Sequence, residues 1–345
     1  MRLVFMGTPD FAVPSLQALA KERYNVAGVF TQPDRPAGRG KIVKPSPVKA
    51  AAEALGLPVF QPEKIKTPEA ILQLRGLAPE CIVVVAYGQI LSKEILDLPA
   101  RGCINVHASL LPRYRGAAPI HWAVMRGEQR TGVTTMLMDE GLDTGDILLQ
   151  REVPITPETT TGELHDQLAA LGGELLTETL GRWERGNLQP VPQTGETVYA
   201  PLLKREHERL DWSRRAVELD CQIRGLNPWP GAFTVFREEN LKIWRSALYL
   251  SAEEIVKTEE AVATEISLRQ DNPKPDQMDN LKLGQKKTPK PGQIIRVLDD
   301  GIAVQTGDGV LKILEVQPAG KRIMPAKDFF HGRHGRAGES FTYEE

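Results

Sequence analysis

The chain is poor in cysteine: three in 345 residues, Cys81, Cys103 and Cys221, each in apolar or mixed surroundings and none in a Cys-x-x-Cys pair. That spacing argues against a disulfide framework and a thiolate zinc site, and the three read as buried thiols. The six histidines are scattered, and His331 and His334 near the C-terminus have no further ligand close by, so no metal is expected. No apolar run approaches the roughly 20 residues that cross a bilayer, and the first residues read as a strand without signal-peptide anatomy. The expectation is a cytoplasmic protein with no membrane partner. The turn after the first strand, Gly7 to Asp10, lacks GxGxxG spacing, and no acidic residue ends the next strand, Val26 to Phe30, to hold a ribose. A dinucleotide site is therefore disfavoured.

Net charge is also nearly absent, at −2, but its distribution is uneven. Between Thr31 and Lys49 stand five basic residues, Arg35, Arg39, Lys41, Lys44 and Lys49, against the single Asp34. Between Ser251 and Asn280 there are eight acids against three bases. The basic stretch is a long loop full of Pro and Gly, and such loops inside compact domains are functional or disordered. A solvated surface excursion remains open for it, as does close approach of Gly38, Arg39 and Gly40 to phosphate or a base.

What is present suits a globular protein of two domains, with 41% hydrophobic and 26% charged residues. Strands and helices alternate at first. Arg2 to Met6 reads as a strand turning into a helix that Asp10 caps, with Pro14 in its first turn. A helix follows Pro47, then a short strand from Pro58 to Phe60 and a helix from Pro68 to Leu74. The continuous run Cys81 to Ala86 suits a sheet covered on both faces. Val133 to Met138 and Ile147 to Ile155 read as strands, and Thr160 to Gly186 as a long helix with a leucine stripe. Pro190 to Gly195 loosens into a linker. A helix from Ser213 to Arg224 precedes the rigid turn Asn227 to Gly231, and β-type segments then run to Gln317. Hairpin turns stand at Asp299 to Gly301 and Gly307 to Gly309. The second domain is expected to be a small OB-like barrel, and its polar insertion to be largely mobile.

The stretch with chemistry is Cys103 to Gly116. Its strand ends in Asn105 and His107, two alternate residues on one face near a C-terminal strand end, where open α/β sheets place their sites. A carboxamide beside an imidazole can hold a developing oxyanion and move a proton. A strand end with two satisfied polar side chains is the alternative. Tyr87, Gly88 and Gln89, at the end of the Cys81 to Ala86 strand, are expected as neighbours. In the acid- and glycine-rich loop from Asp139 to Asp146, Asp143 is the carboxylate expected to orient and polarise His107.

The segments GTPDFAVPSL, TQPDRPAGRG, NVHASLLPRYRGAAPI, MDEGLDTGDIL, LDWS, IRGLNPWPG and QPAGKRIM occur in this order. Together they resemble the methionyl-tRNA formyltransferase family from the first strand to about Arg333. The resemblance implies a Rossmann-like formyltransferase domain (1–190), a linker (191–206), an OB-like tRNA-binding barrel (207–335) and a tail (336–345); the insertion at about 251–291, expected to be mobile from its composition, departs from more compact members of the family. It implies formyl transfer from 10-formyltetrahydrofolate to the amine of methionine on initiator tRNA, without a metal, by a monomer. Asn105, His107 and Asp143 take the catalytic positions by likeness. Ser109, Leu110, Leu111 and Pro112, with Tyr87, Gly88 and Gln89, take the folate site, and Arg35, Arg39 and Lys41 engage the acceptor stem. A sugar-nucleotide amine formyltransferase or a formyl-folate hydrolase would share the Asn, His and Asp constellation. The basic loop and the second domain favour a large polyanionic acceptor over either.

Overall fold

The computed structural model describes residues 1–37, 42–249 and 289–342. Arg39, Lys41 and the insertion as far as residue 288 lie outside the described residues. The chain forms two compact units, one of Met1–Ala123 with Glu128–Leu203, the other of Val124–Gly127 with Lys204–Glu345.

The first unit begins with β1 (Arg2–Gly7), α1 (Val13–Lys21) and β2 (Asn25–Phe30). Asp10 does not cap α1: it opens a short 3-10 turn, and its carboxylate accepts the Phe11 N–H at 3.0 Å. The helix starts three residues later, with Pro14 in its first turn, where its missing N–H costs nothing. The basic stretch is not wholly irregular. Its β3 (Arg35–Ala37) and β4 (Ile42–Lys44) pair antiparallel.

Below that hairpin the chain is clamped. Lys49 Nζ donates to Asp34 Oδ2 at 2.6 Å, Gln61 Nε2 donates to Asp34 Oδ1 at 2.7 Å, and the Thr31 and Ser46 hydroxyls meet at 2.7 Å. Lys49 is therefore committed to Asp34, while Arg35 and Lys44 are exposed.

Next come α2 (Pro47–Ala54), β5 (Val59–Phe60), α3 (Pro68–Gly76), β6 (Cys81–Val85), α4 (Lys93–Leu96), β7 (Cys103–His107) and α5 (Pro119–Met125). The unit ends with β8 (Arg130–Leu137), β9 (Ile147–Pro154) and α6 (Thr161–Glu184). The sheet order is β5-β2-β1-β6-β7-β8-β9. The first five strands are parallel, whereas β8 and β9 pair antiparallel, so the sheet is mixed. Every residue of β6 is buried, as a strand covered on both faces requires. Helix α6 opens on a capping box between Thr160 and Glu163 and buries Leu164, Leu168, Leu175, Leu176 and Leu180. At about 1.5–3 kcal/mol per buried leucine, that stripe is a main support of the sheet.

The segment expected to be a linker is instead docked on this unit. Val191 and Ile147 exchange both backbone hydrogen bonds, at 2.8 and 2.9 Å, and Ala200 N donates to Arg115 O at 2.7 Å. These main-chain bonds need no side-chain pattern, which is why composition alone read the stretch as loose.

The second unit comprises α7 (Arg205–Glu208), α8 (Ala216–Gly225), β10 (Ala232–Phe236), β11 (Glu239–Tyr249), β12 (Ile294–Val297), β13 (Ile302–Gln305), β14 (Val310–Pro318), β15 (Met324–Pro325) and α9 (Ala326–Gly332). Its strands are antiparallel, in the order β10-β11-β14-β13-β12, with β15 on β14. Helix α8 starts at Ala216, where Glu218 accepts the Arg215 N–H at 3.1 Å, after a turn in which Asp211 accepts the Ser213 N–H at 3.0 Å.

The stretch read as a tail belongs to this sheet. Ile294 N donates to Glu339 O at 2.8 Å, Phe341 N to Gly292 O at 2.9 Å and Thr342 N to Val235 O at 2.9 Å. Glu339 to Thr342 thus bridges β12 and β10, the two edges of the sheet, and closes it. Phe341 is 3% exposed and stacks on Trp212 with ring centroids 5.2 Å apart.

Candidate active site

Parallel pairing sets Val84 of β6 beside Asn105, and antiparallel pairing sets Met136 and Thr134 of β8 beside Asn105 and His107. Asn105 and His107 therefore sit on one face at the end of β7, level with the residues that follow β6. The Asn105 Oδ1 is buried and takes no hydrogen bond among the described residues. A buried polar atom without a partner costs about 1–3 kcal/mol, so its retention calls for an explanation. Turning the carboxamide over presents its N–H groups in the same place.

His107 is 7% exposed. Its Nε2 lies 2.9 Å from the Tyr114 backbone oxygen. A carbonyl only accepts, so Nε2 must carry the hydrogen, and a neutral ring then presents a lone pair at Nδ1. Asp143 Oδ2 lies 3.7 Å from that Nδ1 and accepts the Gly116 N–H at 2.8 Å. The orienting bond expected from Asp143 is thus made by Tyr114. The Asp143 carboxylate instead faces Nδ1 without a hydrogen bond to it.

The approach of the chain to Asp143 is tightly built. Gly116 has φ of +113°, and a β-carbon there would lie 2.9 Å from Ala200 O. Asp143 itself has φ of +53°, the left-handed region that non-glycine residues rarely adopt. A β-carbon at Gly145 would overlap the Leu137 carbonyl. Asp139 closes the loop locally by accepting Gly141 N at 3.0 Å and the Thr144 hydroxyl at 2.6 Å, so the acidic look of this loop is largely turn chemistry.

The stretch Ser109 to Pro112 is caged. Thr134 Oγ1 donates to Ser109 O at 2.6 Å and accepts Leu111 N at 3.1 Å, while Gln150 Nε2 donates to Leu111 O at 2.9 Å. Ser109 and Leu111 are buried; Leu110 and Pro112 keep partial exposure. The Tyr87 side chain lies in the apolar core with its hydroxyl buried and unpartnered among the described residues, and burial raises its pKa. Its backbone oxygen accepts the Thr8 hydroxyl at 2.8 Å. Gln89 is also occupied: Oε1 accepts Ile65 N at 2.8 Å and Nε2 faces Pro62 O at 3.4 Å. Of these three, Gly88 has an exposed backbone, with φ of +86°. Arg35 is exposed on β3, which forms a separate two-stranded sheet with β4.

The cysteines stand outside this chemistry. All three are buried and free, and burial pushes the Cys103 thiol up to about 12.

Residues 1–180 match the family model of formyl transferase, and residues 202–334 match that of the formyl transferase C-terminal domain. The methionyl-tRNA formyltransferase of Pelotomaculum thermopropionicum is 50% identical over 332 residues, covering 96% of each chain. That of Moorella thermoacetica is 51% identical over 333 residues, again covering 96% of each. The chain belongs to the methionyl-tRNA formyltransferase family. The same fold occurs in HypX from Aquifex aeolicus, solved in complex with tetrahydrofolic acid, at 16% identity and a TM-score of 0.58. That match covers all of this chain and 51% of HypX.

One residue beside Asp143 is not marked by the sequence. Gln193, in the presumed linker, donates through Nε2 to Asp143 O and Gly145 O, both at 2.8 Å. Nothing in its local pattern marks it, because its partners lie about 50 residues away.

Proposed function

We propose that Asn105, His107 and Asp143 carry the reaction of this family, formylation of the methionyl amine on initiator tRNA. Formyl-folate is the donor, and it supplies an activated formyl carbon. The transfer joins the amine nitrogen to that carbon, breaks its bond to the donor nitrogen, and moves one proton from the amine to the donor nitrogen. With the carboxamide turned so that Nδ2 takes the place of the unpartnered Oδ1, Asn105 donates to the formyl oxygen as charge builds on it. One such donor typically contributes about 100- to 1,000-fold in rate. His107 accepts the amine proton at Nδ1, the nitrogen that the Tyr114 bond leaves free. Asp143 stabilises the resulting cation. The observation that carries this reading is the pairing of an unsatisfied buried carboxamide with an imidazole whose tautomer is fixed.

The Ser109 to Pro112 segment lines the folate site through Leu110 and Pro112, the two residues the cage leaves partly exposed, together with the backbone at Gly88. Arg35, Arg39 and Lys41 meet the acceptor stem, the first unit binds formyl-folate and the second contacts tRNA. The protein acts as a cytoplasmic monomer. Among the described residues no helix is long and apolar enough to cross a membrane, which by itself assigns no location. The test supplies formyl-folate with charged initiator tRNA, free methionine or a UDP-amino sugar. Formylation of the tRNA alone is expected. Preference for the sugar, or release of formate without an acceptor, would replace this reading with one of its two rivals.

A further inference from the structure

We propose that Gln193 is a positioning residue for Asp143, an inference that rests on the role given to Asp143 above. Its carboxamide uses its whole hydrogen-bonding capacity. Both Nε2 hydrogens go to carbonyls of the acidic loop, Asp143 O and Gly145 O, each at 2.8 Å. Its Oε1 accepts from two nitrogens of Arg115, Nε at 3.1 Å and a terminal nitrogen at 2.6 Å. Two donors and two acceptor sites are all that an amide has. One side chain therefore ties together three stretches that are far apart in sequence.

Those stretches are the ones that fix the carboxylate. Asp143 is held in the left-handed region, a conformation that its surroundings must secure. Gln193 pins its carbonyl on one side. On the other, Gly116 N–H pins Oδ2, and Gly116 directly follows Arg115, the residue whose guanidinium Gln193 holds. The Arg115 backbone is itself fixed between Val198 O, at 2.9 Å, and Ala200 N, at 2.7 Å. Gln193 thus spans the two anchors of Asp143 and sets the distance between them. The 3.7 Å separation of Oδ2 from His107 Nδ1 follows from that spacing.

Gln193→Glu separates this role from simple tethering. Glutamate keeps, and strengthens, acceptance from Arg115, but it has no donors and turns a carboxylate oxygen towards two carbonyls. If the residue only fastened the docked segment to Arg115, the change would be harmless. Positioning predicts a fall in kcat of about 10- to 100-fold with KM for formyl-folate and for charged tRNA nearly unchanged, since misplacement near the chemistry acts on the transition state. Action through Asp143 predicts non-additivity as well, so in an Asp143→Asn background the same change should cost less than about 3-fold. Should Gln193→Glu lose its cooperative thermal transition, Gln193→Met, similar in length and without donors, takes its place in the cycle.

Equal slowing in both backgrounds, or unchanged kcat in the first, overturns the proposal. If Asp143→Asn alone leaves turnover intact, the role of Asp143 falls, and this inference falls with it. If Asp143→Asn is slow but uncoupled to position 193, only the inference is lost.

Discussion

The division of labour at His107 turns on one bond. Because Nε2 donates to a backbone carbonyl, a substitution that keeps this donor and removes the basic Nδ1 isolates the chemistry from the fold. Glutamine places an amide N–H near the Nε2 position. His107→Gln should therefore melt within a few degrees of the parent and yet lose at least about 100-fold in kcat, the usual scale for a general base. Asn105→Ala should lose a similar factor, by removing a donor to the formyl oxygen. Single-turnover formylation, followed beside thermal melts, checks both. Near-native turnover in either variant rejects its assignment. The types and spacing of these residues were readable in the sequence, since alternation along an apolar strand puts Asn105 and His107 on one face. Which nitrogen of the ring is free was not readable, because it depends on Tyr114, a partner that acts through its backbone.

At the scale of elements, the base of the β3–β4 hairpin shows how charge counting misleads. Lys49 counted as one of five basic residues, but its hydrogen bond, followed by that of Gln61, holds the Asp34 carboxyl below its ordinary range. A carboxyl lowered by folding contributes stability above its unfolded pKa, about 3.9, and loses it as pH falls through the folded value. The clamp should therefore hold at neutral pH and open only below about pH 4. Carbon NMR of the Asp34 carboxyl should give a midpoint below about 3.9 that rises in Lys49→Met. A midpoint at or above the ordinary value in the parent would mean that the clamp does not form in solution.

If this hairpin meets tRNA as proposed, the same clamp bears on which lysines reach phosphate. Lys44→Ala should reduce the slope of log affinity for tRNA against log salt by about 0.7–0.9, whereas Lys49→Ala should leave it nearly unchanged. Equal changes in the two variants would mean that Lys49 lets go of Asp34 to bind RNA. Elements marked by an apolar run or stripe, such as β6 and α6, were legible because burial imposes the pattern. The antiparallel direction of β8 and β9 was not, since alternation is the same for either direction of pairing.

For the molecule as a whole, the second unit depends on a stretch that sequence reading set aside as a tail. Glu339 to Thr342 supplies backbone bonds to both edges of the antiparallel sheet, and Phe341 fills the space behind them. Its ring stacks on Trp212 and meets Phe236 edge-on, with centroids 5.6 Å apart. The Trp212 indole N–H in turn donates to Thr234 Oγ1 on β10, at 2.9 Å, so closure and the strand it reaches share one aromatic anchor. Short polar segments with a single aromatic carry no periodicity, which is why this closing segment could not be told from a disordered end. Removing a buried phenylalanine ring costs about 3–5 kcal/mol. Phe341→Ala should lower the unfolding free energy of the second unit by that amount in a urea titration followed by tryptophan fluorescence, because Trp212 reports directly on the stack. The chemistry is assigned to the first unit, so single-turnover kcat at saturating tRNA should stay within about 2-fold at temperatures where the variant remains folded. A loss of less than about 1 kcal/mol would place Phe341 outside the core and leave the sheet to close without its C-terminal stretch.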